Sequence, residues 1–361
     1  MTIMNLRQEF AELLRTTHIP ASADVNSKIE MYSRFNTCIM AKLPKSLFRY
    51  RSTEAHNIDA LRNEQINVTK PSEMGDIFDS LIPVDAERVV EKIRQLEGGF
   101  DGIARYLLQG GTIPDWVLRS ASPKMRRTLF SNKSDLKNLM QDSRFKLFVK
   151  KCIPQLERVI LEKINNKSGQ SIDVLKNTGY IACMCEAADN LKMWSDYADK
   201  HRGYVLEYDF ETLNPRFYTF DKNDEQFQPE SIVLPVIYGQ QYDSTDLVIN
   251  LTLNELLRDI STREYYIRQQ DELWHIKGYL YKAADYESEA EWRLITPIQG
   301  VPADAKPYSN VKGSPKAIYY GAKMSDDVIA EIEEIICNRP ITRYRMRTDT
   351  ANAHVVAEPM P

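Results

Sequence analysis

Residues 179–208 read GYIACMCEAADNLKMWSDYADKHRGYVLEY. Two apolar runs, Tyr180–Cys185 and Gly203–Tyr208, have the length and β-branched or aromatic content of strands. Between them, Met193 to Arg202 reads as a short helix ended by Gly203. Working outward toward the C-terminus, strands are predicted at Ile232–Tyr238, Glu291–Thr296 and Ala317–Tyr320. A long helix from about Thr252 to Ala283 separates the first two of these, and a short one from Ser325 to Cys337 follows Gly321. Toward the N-terminus, Leu47–Arg51 alternates like a strand, a helix follows over Glu54–Asn63, and Ile66–Thr69 is a second short strand. Strands interrupted by helices without a steady βαβ rhythm predict an α+β fold rather than a doubly wound sheet.

Helical spacing of Leu6, Phe10, Leu13 and Leu14 marks residues 1–43 as an N-terminal helical arm. The stretch from about 85 to 166 is mostly helical, broken at Gly98-Gly99, Gly110-Gly111 and Ser122-Pro123, and reads as a helical insertion. The expected organisation is a single α+β domain over 44–340, with that insertion inside it and a C-terminal tail over 341–361.

A chain of 361 residues, 43% hydrophobic and 27% charged, has enough apolar material for a real core. Its longest apolar runs fall well short of the roughly 20 residues that a membrane helix needs. Met1–Phe10 lacks the features of a secretion signal, so a cytoplasmic protein without a membrane partner is expected. The five cysteines are scattered, with no repeated C-x-x-C spacing, which argues against a disulfide framework or tetrahedral zinc. A net charge of −4 gives no global field for coating a polyanion.

Three polar blocks carry the chemistry. In the first, Arg49 and Arg51 share one face of a strand and Tyr50 takes the other. Paired guanidiniums suit a phosphate or carboxylate, or they are merely solvent-exposed arginines of an edge strand. Farther along, Ser72 is a candidate N-cap, with Asp76 and Asp79 on the face that follows. In the second block, Trp194, Tyr197 and His201 fall at i, i+3 and i+7, a face that can stack on a flat ring or simply pack in the core. Gly203 reads as a left-handed C-cap. In the third, alternation puts Glu289, Glu291 and Arg293 on one side and Trp292 on the other. Partly buried, those carboxylates must be paired, and that is how working pKa shifts arise; exposed, they are a solvated face. The sequence has no P-loop, G-x-G-x-x-G, G-x-S-x-G or H-E-x-x-H motif, which disfavours the corresponding enzymes.

Taken in order, Phe48-Arg49-Tyr50-Arg51, Pro71-Ser72-Glu73 with Asp76 and Asp79, Met193-Trp194-Ser195-Asp196-Tyr197-Ala198 with His201 and Gly203, Glu289-Ala290-Glu291-Trp292-Arg293 and Ile318-Tyr319-Tyr320-Gly321 resemble the bacterial family known as domain of unknown function 2971. The likeness runs from about Leu47 to Ile332. The chain departs from the pattern where it has Gly75-Asp76-Ile77-Phe78-Asp79 in place of an Asn-Asp-Pro-Phe-Asp run, and Cys185 in place of a serine.

The chain also faintly resembles ADP-ribosyltransferases. That likeness implies a mixed or antiparallel sheet core and NAD as substrate, with ADP-ribose transferred or NAD hydrolysed, and a toxin or phage-defence effector as the setting. In this reading Glu291 stabilises the ribosyl cation, Glu289 orients water or the acceptor, and Arg49 or Arg51 holds the diphosphate. Tyr197 and Trp194 line the nicotinamide side, with Tyr50, Ser72, His201 and Arg293 around the cofactor. No metal is expected; the partners are a small nucleotide and a protein or nucleic-acid acceptor. Two rivals stand beside it. One is a metal-dependent nuclease using Asp76, Asp79, Glu289 and Glu291 with Lys277 or Arg293. The other is a non-catalytic ligand-sensing module.

Overall fold

The computed structural model describes residues 6–20, 22–41, 43–75, 79–80, 83–95, 99–109, 119–124, 126–127, 141–177, 179–209, 218–221, 226–229, 231–240, 242–256, 271–297 and 308–360. These form an α+β fold around a ten-stranded mixed sheet. At its centre is β3 (Gly179–Cys185). β10 (Glu291–Pro297) runs antiparallel along its whole length, from Glu291 opposite Cys185 to Pro297 opposite Gly179. On the far side of β10 lies β7 (Ile232–Pro235).

A strand has two edges, and the second edge of β3 is shared. β1 (Ser46–Arg51) meets it only at Phe48–Cys185, and β2 (Gln65–Thr69) only at Thr69–Ile181. The sheet therefore forks. One branch continues from β1 through β4 (Tyr204–Asp209), β12 (Ala317–Tyr320), β13 (Thr342–Asp349) and β14 (His354–Pro359); the other pairs β2 with β11 (Tyr308–Lys312). The parallel pair β12–β13 makes the sheet mixed. Outside it stand a hairpin of β5 (Tyr218–Asp221) and β6 (Gln226–Pro229) and the short parallel pair β8 (Ile237–Tyr238) and β9 (Tyr281–Lys282).

The helices cover the apolar faces. On α1 (Leu6–Thr16), Phe10 and Leu14 are buried, and Phe10 meets the ring of Trp292 edge to face. α2 (Val25–Met40) adds Tyr32 and Phe35 to the same core. The N-terminal helices are thus seated on the body of the fold, with Lys28 and Tyr32 both bonded to Glu272. α3 (Ala55–Arg62) buries Ala60 and Leu61. On α10 (Asp326–Ile336) the buried side chains are Ile329, Ile332 and Ile336, the i, i+3, i+7 stripe of an amphipathic helix. Each contributes about 1.5–3 kcal/mol by burial.

A second core lies where 85–166 was expected to be helical. It joins α4 (Ala86–Gln95), α5 (Gly99–Gln109) and α6 (Ser143–Asn177). Val248 and Ile249 of α8 (Thr245–Leu256) enter the same cluster, so this layer takes a helix from far along the chain.

Two expectations need correction. The helix placed over Thr252–Ala283 starts at Thr245, and residues 271–282 hold a turn, the five-residue α9 (Trp274–Gly278) and β9. Residues 257–270 lie outside the described set. The stretch 341–361, expected as a tail, supplies β13 and β14, paired from Tyr344–Pro359 to Asp349–His354. Its charged alternation, Thr342-Arg-Tyr-Arg-Met-Arg347, hides the strand period because mainly Met346 is buried. Among the described residues, no helix is long and apolar enough to cross a membrane.

Candidate functional site

Register assigns the faces of the sheet. Glu291 stands opposite Cys185 and Arg293 opposite Cys183, while Cys185 is also opposite Phe48. Glu291, Arg293, Phe48 and Tyr50 therefore share one face. Leu47, Arg49 and Arg51 point to the other, with Tyr208, Leu206 and Tyr204 opposite them on β4.

On the first face the late motif folds into a buried ionic cluster. A 3-10 helix over Ala284–Glu289 ends at Ala290, which is left-handed (φ 46°), and β10 begins at Glu291. This bend lets both carboxylates converge on Lys282, whose Nζ donates to Glu289 Oε2 at 2.8 Å and to Glu291 Oε2 at 2.9 Å. Arg293 Nε donates to Glu291 Oε1 at 2.8 Å, and Arg293 Nη2 to Asp79 Oδ2 at 2.7 Å. Its Nη1 is bonded to the Tyr279 carbonyl and to Ser80 Oγ. Arg293 is 0% exposed, so its charge is matched wholly inside the protein.

The cluster reaches the surface on one side. Tyr197, 46% exposed, donates from its hydroxyl to Glu289 Oε1 at 3.1 Å, with Lys192 Nζ 3.8 Å from the same oxygen. Lys192 and Lys282 both lie over the ring of Tyr286, at 5.2 and 4.5 Å from its centroid.

Burial alone would raise the pKa of Glu291, but the Arg293 and Lys282 charges outweigh it and hold the carboxyl down at about 2. Lys282 is desolvated too, yet Glu291 and Glu289 keep its pKa above the ordinary lysine range. Burial and the neighbouring Glu289 carboxylate push the Tyr197 phenol up, so it remains a donor. The backbone is fixed from behind: Glu291 N–H donates to the Tyr238 hydroxyl at 2.7 Å, and Arg7 Nη1 donates to the Glu291 carbonyl at 2.9 Å.

The three sequence blocks therefore meet, through Asp79 from the first, Tyr197 from the second and Glu289, Glu291 and Arg293 from the third. Other predicted site residues stand apart. Arg49 and Arg51 occupy the opposite face, and β1 is an interior strand between β3 and β4, not an exposed edge. Arg49 is buried and bonded across the fork to the Asn67 carbonyl. Tyr50 holds the chain before α7 (Leu191–Asp196), donating to Ala187 O and accepting from Asn190 N. Ser72 lies in a 3-10 turn whose N-cap is Lys70, and its hydroxyl donates to Asn177. Lys277 is bonded to Asp271 and the Thr17 carbonyl. Asp76 lies outside the described residues.

Trp194 is fully buried, with its indole N–H on Ala188 O and its ring edge-on to Tyr50. His201 does stack on it, with centroids 6.0 Å apart, but not through helical register. The helix stops at Asp196, and three successive left-handed residues, Asp199, Lys200 and His201, turn the chain back. Gly203 is needed for space rather than for a left-handed cap: a Cβ there would lie 2.1 Å from the Arg51 carbonyl oxygen. Sequence reasoning missed Lys282, Lys192 and Tyr238. Only Lys192, in the helix that presents Trp194, carried a positional signal.

The segment that supplies Tyr197, Lys282, Glu289 and Glu291 also decides the family comparison. Residues 193–294 match the family described as Protein of unknown function (DUF2971). The match supports the family resemblance read from the motifs, and it begins at Met193 and closes on Leu294, one residue past Arg293. The Phe48–Arg51, Pro71–Asp79 and Ile318–Gly321 parts of that likeness fall outside the matched DUF2971 segment. Comparison with curated proteins and with solved structures gives no match.

Proposed function

We propose that the cluster is the centre of an enzyme that breaks the glycosidic bond of NAD, with Glu289 as the carboxylate at the ribose. The observation that carries this reading is the bonded chain Tyr197–Glu289–Lys282–Glu291, which joins a half-exposed phenol to a carboxylate held anionic. Cleavage of the ribosyl–nicotinamide bond sends the electron pair out with nicotinamide and leaves an oxocarbenium-like ribose. A fixed carboxylate stabilises that cation until water or an acceptor hydroxyl adds and loses its proton.

From sequence, Glu291 held this role. We give it to Glu289 instead, because displacing the exposed Tyr197 opens that carboxylate, whereas Glu291 is enclosed by Arg293 and Lys282. Arg49 and Arg51 face the other way and leave this site; the diphosphate falls to Lys192 at the rim. The nuclease reading fares less well, because the positions between the carboxylates are filled by Lys282 Nζ and the Arg293 guanidinium. Among the described residues, no three acidic, His or Cys side chains group as metal ligands.

The test is release of nicotinamide from NAD by the purified chain. Glu289→Gln should slow it by about a hundredfold or more, with the melting temperature nearly kept. No release from the wild type, or full activity in the variant, removes the assignment. The full pairing of the wholly buried Arg293 favours a second reading, a cluster that only holds the fold. That reading predicts an inactive wild type and a Glu289→Gln variant that loses stability instead.

A further inference from the structure

Among the described residues outside the carboxylate cluster, poorly compensated charges lie in the fork of the sheet. Arg49, 6% exposed, gives Nη2 to the Asn67 carbonyl of β2, but its Nε is shielded from solvent and has no hydrogen-bond partner. Arg51, two residues on and facing the same way, has a shielded Nη2 with no partner either. Directly across from Arg51 on β4, the hydroxyl of Tyr204 is a third shielded group left unbonded. The groups that act on the Arg51 charge are Tyr204, Tyr208 and Cys183, with no carboxylate among them, and burial drives its pKa down.

Buried guanidiniums ordinarily face an acid, and buried donors ordinarily have acceptors. Here, beyond the one bond from Arg49 to the Asn67 carbonyl, two cations without an ion-pair partner among the described residues leave three polar groups unbonded. Alternate residues on a strand stand about 7 Å apart and cross-strand neighbours about 5 Å, so a single tetrahedral oxyanion lies within reach of all three side chains. Arginine forks suit such an anion in shape as well as charge. Arg51 keeps partial exposure as a residue, although its Nη2 is shielded.

We propose that the fork between β1 and β2 binds a phosphate-type oxyanion through Arg49, Arg51 and Tyr204. The site lies on the opposite face of the sheet from Glu289 and stands whether or not NAD is the substrate there. A free phosphate and the phosphate of a nucleotide share this chemistry.

The test is a titration of the full chain with inorganic phosphate, and separately with ADP, at constant ionic strength held with sodium chloride. Melting temperature and 31P line width are both read. The wild type should show a saturable rise and broadened phosphate signals. Arg51→Met should weaken the dissociation constant at least about tenfold, as loss of a charged donor does. Tyr204→Phe should weaken it less, and Glu289→Gln should leave it unchanged. Tighter binding of ADP identifies a nucleotide's phosphate as the ligand; equal or weaker binding identifies the free anion. If Arg51→Met fails to fold, Arg51→Lys and Tyr204→Phe carry the comparison. Neither saturation nor broadening in the wild type, or the same affinity in the wild type and the folded fork variants, overturns the proposal.

Discussion

With its guanidinium enclosed between Asp79 and Glu291, Arg293 sits where the early and late motifs are joined. Removing its charge leaves the buried Asp79 carboxylate without a cation among the described residues and Glu291 with Lys282 alone. Arg293→Met should therefore cost about 3–5 kcal/mol, the usual penalty for stranding buried charge, read as a lower midpoint in urea unfolding. An unchanged midpoint would mean that the cluster is wetter than its geometry implies. Glu289 and Glu291 were legible in the sequence because strand alternation put them on one side with Arg293. Lys282 was not, since a lone lysine has no pattern until β8 and β9 pair and bring it beneath the carboxylates. Nor did alternation reveal which face the early arginines would take relative to Glu291; that depends on the register Phe48–Cys185, a contact between distant parts of the chain.

The turn that follows α7 is where the second motif has its structural meaning. Its left-handed run brings His201 against Gly321: the Gly321 amide bonds to Gly203 O, and the Lys323 amide to His201 O. A Cβ on Gly321 would lie 2.2 Å from His201 O, and one on Gly203 would lie 2.1 Å from Arg51 O. Both glycines let three chain segments touch backbone to backbone. Gly203→Ala and Gly321→Ala should each destabilise by about 1–3 kcal/mol or more, as overpacking does. Together they should cost less than their sum, because the Cβ on Gly321 also meets the Gly203 carbonyl, at 2.7 Å, and the backbone there is already displaced by Gly203→Ala. Thermal melts of the two singles and the double check this, and strict additivity would contradict it. The sequence marked the segment as a helix running to a cap at Gly203, whereas the helix stops at Asp196 and Gly203 serves close packing. Close approach of three carbonyls comes from tertiary packing, and local spacing does not encode it. The strands at 342–359 were missed for a similar reason: a largely unburied strand of arginines alternating with threonine, tyrosine and methionine needs its neighbours to become recognisable.

Across the whole molecule, the cluster couples stability to pH. Glu291 is held below its ordinary 4.5, down at about 2, so its contribution is complete above about pH 4.5 and fades as pH falls from there toward 2. Lys282 is held above its ordinary 10.5, so its share is complete below that value and fades as pH rises beyond it. Stability should thus be broad across neutral pH, with an acid limb that flattens in Glu291→Gln. Melting temperatures from pH 2 to 7 for both proteins would show it, and an equally steep limb in the variant would assign the acid loss to other carboxylates. The α+β class was readable because strand-like runs alternate with amphipathic helices without a βαβ rhythm. The branching of the sheet was not, since nothing local says that one edge of β3 serves two partners.

That branching has a consequence for the backbone of β1. Every second amide of Arg49–Arg51 turns toward β4 and is locked into its ladder, while the others turn toward the gap, beyond the last pairing with β3 at Phe48. Dissolved in heavy water, this strand should therefore trade its protons in alternation, slow on one side and fast on the other, although it lies in the interior of the sheet.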